Sequence, residues 1–136
     1  MQLHFPGQLP ILAVITASLV YFLLGVLWYS RVLFGPVWER HAQFDNEDKT
    51  GLGFLHIISF FSTLIVVLTM GVFIRVLFVP GWILSIKIAL LTGLGFMFIP
   101  TFINGLYLKK PIQLLLIDSG YHLSGFVLSA LILSVW

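Results

Sequence analysis

Four apolar runs, at residues 9–30, 53–77, 83–107 and 111–135, constrain this chain more than any other feature. A helix rises about 1.5 Å per residue, so about 20 residues cross a hydrocarbon layer about 30 Å thick. Each run meets that length. Charged residues make up only 9% of the 136 and hydrophobic ones 60%, and the mean hydropathy is +1.09. No soluble surface can be assembled from such a composition, whereas lipid removes the need for one. The fold class that follows is all-α: an integral membrane four-helix bundle, forming one transmembrane domain over residues 1–136. The formal charge of +2 comes from a few Lys and Arg at run ends, not from a basic patch, so the expected partner is the lipid bilayer and no nucleic acid. The chain has no cysteine, which excludes disulfides and thiolate metal sites.

The connections orient the bundle. Arg31, Arg40 and Lys49 follow the first run, and Lys109 and Lys110 lie between the third and fourth. Only Arg75 and Lys87 flank the turn on the other side. An excess of Lys and Arg marks cytoplasmic loops, so both termini are expected outside, in a bacterial inner membrane. Trp28 and Trp38 then mark the inner interface, and Trp82 and Trp136 the outer one. The Met1–Pro6 start lacks the basic region of a signal peptide, so the first run is expected to be retained as a helix. The short Val79-Pro80-Gly81-Trp82 turn predicts that the second and third runs are adjacent antiparallel neighbours. Between Arg31 and Thr50, Pro36 can open a short amphipathic helix with Val37, Trp38, His41 and Phe44 on one side, lying in the interface. Asp45-Asn46-Glu47-Asp48 reads as an acidic solvated link.

Polar residues inside the runs concentrate in the cytoplasmic half. Asp118 is the only carboxylate within any of the four, and His122 stands one turn deeper. An aspartate at mid-helix depth costs about 2.5–3.5 kcal/mol on insertion scales, so it needs a partner, a proton or water. Depth counted from the helix ends brings Asp118 level with Thr101 and Pro100, with Asn104, Tyr29 and His56 towards the same end. Asp118, His122, Gly125 and Ser129 form one face at helical spacing, while Ala13 with Ala17, Ala89 with Gly93 and Gly120 with Ser124 suit close helix packing. Lone hydroxyls in the outer half, such as Thr69, Thr92 and Ser134, can bond back to their own helices.

These residues carry a resemblance. Gly25-x-x-Trp28-Tyr29-Ser30, then Leu33-Phe34-Gly35-x-x-Trp38, Pro100 with Asn104, and Gly120-Tyr121-His122 resemble, in order, the motifs of the small bacterial family called domain of unknown function 1761. The resemblance implies four membrane spans and no assigned activity. It also implies that asparagine is common where this chain has Asp118, so the position needs a hydrogen-bonding group in the family, or Asp118 is a specialisation.

Two chemistries fit Asp118 with His122. The pair can share a hydrogen bond on one helical face and form a proton or cation site. Alternatively Asp118 is interhelical glue, bonded to Thr101, Asn104 or Tyr29. His56 and His122 differ too much in depth to be axial ligands of one haem, and Asp118, His122 and His56 supply only three candidates for a metal, so neither cofactor nor metal is expected. Trp28-Tyr29-Ser30 reads as a headgroup anchor or as a pocket wall. Pro100 frees the carbonyl at Phe96, so helix three is expected to kink or break beside Asn104. No nucleophile elbow, phosphate loop or carboxylate pair is present, so an enzyme is not expected. The function expected is binding or translocation of a proton, cation or small solute through a cytoplasm-facing pocket of Asp118, His122, Asn104, Thr101, Tyr29 and His56. Four helices rarely enclose an aqueous path alone, so a homo-oligomer, dimer or larger, is expected. The alternative is an accessory or scaffolding subunit of a larger membrane partner.

Overall fold

The computed structural model describes residues 9–42 and 51–136. The acidic link at 45–48, Phe44 and the first residues lie outside that set. Helices α1 (Ile11–Trp28), α2 (Gly35–Ala42), α3 (Leu52–Val76), α4 (Gly81–Gly93), α5 (Ile99–Tyr107) and α6 (Ile112–Val135) account for the described chain, with a π-helical turn at Leu94–Phe98 joining α4 to α5. The described residues contain no strand. Four helical stretches, Ile11–Trp28, Gly53–Val76, Gly81–Tyr107 and Ile112–Val135, are long and apolar enough to cross a membrane.

The last helix organises the others. α6 packs against α1, α3, α4, α5 and α2. Small residues allow this: a Cβ on Gly125 would collide with the Tyr21 ring, and one on Gly93 would come within 2.8 Å of Leu123 and 3.0 Å of Phe126. Ala13, Ala17, Val67, Met70, Ala89, Phe126, Ala130 and Leu133 form the core, in the half nearer the α3–α4 turn. Hydroxyls in this apolar half bond to their own helices, as Thr69, Thr92 and Ser134 do to the Ile65, Ile88 and Leu131 carbonyls.

The structure departs from the expected hairpin of the second and third runs. α3 and α4 share a tight turn, closed by Val79 N–H donating to the Ile74 carbonyl at 3.1 Å, yet they are not a close-packed pair. Buried Ser85, Ala89 and Gly93 line one side of α4, and α4 packs on α6. An apolar cleft of about 410 Å³ separates α3 from α4, with Phe126 among its lining residues.

Pro100 does not break its helix. The π-helical turn before it widens the spiral, with Ile99 N–H donating to the Leu94 carbonyl five residues back. That insertion lets the chain pass a proline without a gap in the span.

Between α1 and α2 the chain reverses sharply. Phe34 N–H donates to the Trp28 carbonyl at 3.0 Å and Gly35 N–H to the Ser30 carbonyl at 3.0 Å, while Ser30 Oγ donates to the Leu27 carbonyl at 2.6 Å. A Cβ at Gly35 would sit 2.5 Å from the Tyr29 carbonyl oxygen and 2.6 Å from that of Ser30. Only glycine permits so close an approach of two backbones. The reversal folds α2 back onto α6.

Candidate functional site: a carboxylate held between three helices

Asp118 lies two turns into α6, half-buried. Its Oδ1 accepts two hydrogen bonds, from the Tyr29 hydroxyl at 2.8 Å and from the Trp38 indole N–H at 3.0 Å. Tyr29 caps α1 and Trp38 belongs to α2, so one oxygen of α6 ties three helices together. Hydrogen bonds to a charged group contribute about 1.5–3 kcal/mol each, and two of them are enough to offset an insertion cost of about 2.5–3.5 kcal/mol.

The partners differ from those expected on the neighbouring span. Asn104 is exposed, Thr101 is half-buried, and neither side chain makes a hydrogen bond among the described residues. The π-helical turn changes the angular phase of α5, so a level position in depth does not become a shared face. Tyr29 is where it was expected. Trp38, read as a mark of the interface, instead turns its indole inwards, because the reversal at Gly35 brings α2 over the end of α6.

His122 also takes another partner. Its Nδ1 lies 3.0 Å from the Tyr21 hydroxyl, which is 3.3 Å from the His122 carbonyl oxygen as well. Tyr121 hydroxyl reaches the Tyr21 carbonyl at 3.5 Å. Tyr21 is buried in the α1–α6 contact and was missed by sequence reasoning. Its signal was the helical spacing Tyr21, Gly25, Trp28, which continues the motif face one turn deeper. Trp28 itself is more than an anchor: its indole N–H donates to the Ile117 carbonyl at 3.0 Å, beside Gly120.

Two separate spaces flank the Asp118–Tyr29 bond. On the α2 side a cleft of about 460 Å³ is walled by Trp38 and His41 of α2, Lys109 and Lys110 of the α5–α6 turn, and Leu114 and Asp118 of α6. On the α3 side a cavity of about 350 Å³ is lined by Phe22, Tyr29, His56, Ser59 and Tyr121. His56 therefore shares a space with Tyr29 but not with Asp118 itself. Asp118 with Tyr29 makes a polar partition between the two.

Fold and site together define an integral membrane protein with four helices, among the described residues, long and apolar enough to span, in which the Asp118 carboxylate is clamped by a phenol and an indole. The chain belongs to the family described as "Protein of unknown function (DUF1761)", whose model matches residues 12–134. Comparison with curated proteins and with solved structures finds no match.

Proposed function

We propose that the protein binds and, as a homo-oligomer of two or more copies in a bacterial inner membrane, translocates a proton, cation or small solute by way of Asp118. One observation carries this reading. Asp118 uses Oδ1 to hold α1 and α2 in place, yet it still lines a cleft of about 460 Å³ at the Lys109–Lys110 end. An ionisable group inside a membrane that also borders an open space is the usual mark of an ion or solute path. With the positive-inside rule, that end faces the cytoplasm and both termini lie outside.

The test is flux in proteoliposomes containing the purified protein alone. Asp118→Asn keeps an acceptor oxygen for Tyr29 and Trp38 while removing the charge. The expected outcome is assembled protein whose proton or cation flux, or its pH dependence, is lost; unchanged flux would rule out the carboxylate as the carrier.

The exposed apolar cleft between α3 and α4 favours a second reading, an accessory subunit without transport of its own. That reading predicts co-purification with a larger membrane protein and no flux from the isolated chain.

A further inference from the structure

The cavity on the α3 side of Tyr29 has a chemistry of its own. Three aromatic rings, Phe22, Tyr29 and Tyr121, and the His56 imidazole surround it, with the Ser59 hydroxyl at its wall and, among the described residues, neither Lys nor Arg in its lining. The rings are not stacked. Tyr29 and Tyr121 meet at 67° with centroids 5.5 Å apart, and Phe22 and His56 at 79° and 6.4 Å. Such edge-to-face angles set the rings as walls of a box. Gly25 makes room for one wall, since a Cβ there would come within 2.8 Å of the Tyr121 hydroxyl.

Aromatic faces attract cations of diffuse charge, quaternary ammonium groups above all. A hard metal ion would need several oxygen ligands, which a single serine and two phenols do not supply. Countercharge is near: Tyr29, whose ring lines the cavity, donates its hydroxyl to Asp118 at 2.8 Å. A phenol whose proton is held by a carboxylate carries more electron density in its ring. Exposed Val26 and His56 border the cavity on the outer faces of α1 and α3, so an apolar cation can enter from the bilayer. Its volume of about 350 Å³ accommodates a small ligand.

We propose that this cavity binds a lipophilic organic cation, with the rings of Phe22, Tyr29 and Tyr121 as its cage and Asp118 as countercharge behind the Tyr29 hydroxyl. The proposal rests on the transport reading above and names the class of cation that Asp118 would serve.

Radiolabelled benzyltrimethylammonium, titrated against the full chain in nanodiscs with empty nanodiscs as blank, tests it. Saturable binding is expected, weakened about five- to thirtyfold by Phe22→Leu or Tyr121→Leu and retained in Tyr121→Phe. The neutral isostere neopentylbenzene is expected not to compete. Equal competition by the neutral compound, or full binding by a correctly melting Phe22→Leu protein, would overturn the cage and leave an apolar void that accepts any hydrocarbon. The two readings fail separately. Cation binding without any flux sinks transport and keeps the cage, whereas Asp118-dependent proton flux without cation binding does the reverse.

Discussion

To Tyr29 and Trp38, an aspartate and an asparagine are nearly the same residue, because both donors address a single acceptor oxygen. This separates the structural from the electrostatic role of position 118. Asp118→Asn is expected to melt within a few degrees of the parent. Asp118→Leu removes the acceptor of both hydrogen bonds, at about 1.5–3 kcal/mol for each bond to the charged group, and is expected to melt well below; thermal denaturation in detergent with tryptophan fluorescence distinguishes them. Ser119 gives the opposite case. Its hydroxyl is fully buried and has no hydrogen-bond partner among the described residues. Ser119→Ala is therefore expected to raise stability by up to about 1–3 kcal/mol, and a lower melting temperature would reveal a partner for that oxygen. Asp118 was legible in the sequence because a carboxylate in an apolar run has few explanations. Trp38 and Tyr21 were not, since an aromatic near a helix end looks the same whether it anchors to headgroups or turns inwards. His122 was misjudged for a related reason: spacing places it on the face of Asp118, but the side chain turns to the nearest buried hydroxyl, that of Tyr21.

Among the elements, the reversal from α1 into α2 decides whether the site exists at all. The Gly35 approach to the Tyr29 and Ser30 carbonyls sets the direction of α2, and with it the reach of Trp38. Gly35→Ala is expected to cost about 1–3 kcal/mol through overpacking and to shift Trp38 emission to the red as its indole leaves Asp118. Unchanged emission would mean that α2 docks independently of the turn. Length and hydropathy made the four spans legible, and the position of the short α2 was legible from Pro36. The α4–α5 junction was not. A proline inside an apolar run signals disturbance, but whether the helix bends, breaks or widens depends on neighbouring packing that one sequence does not display. The same limit hid the separation of α3 from α4: a tight turn fixes which helices follow each other, not which of their faces meet.

At the level of the molecule, apolar packing fills the half near the α3–α4 turn and aromatic polar contacts fill the other. The α3–α4 cleft leaves Phe96 78% exposed and Ile65 65% exposed, a surface that lipid or a second helix can cover. If the protein is the homo-oligomer proposed, single-molecule photobleaching in native nanodiscs gives two or more steps per particle, and uniform single steps would remove that part of the reading. A four-span all-helical architecture could be read from the chain alone because lipid forbids most alternatives. The arrangement around α6 could not, because small residues at four-residue spacing occur on several helices and do not say whom each will meet.

That arrangement has a bearing on biogenesis. The helix that every other one leans on comes last of the four, and it is the least apolar of them. During synthesis α1, α3 and α4 therefore enter lipid before their common neighbour exists, and Tyr29 and Trp38 precede the carboxylate they will clasp. Docking of the earlier helices therefore waits on α6, which brings their common neighbour and Asp118 in a single step.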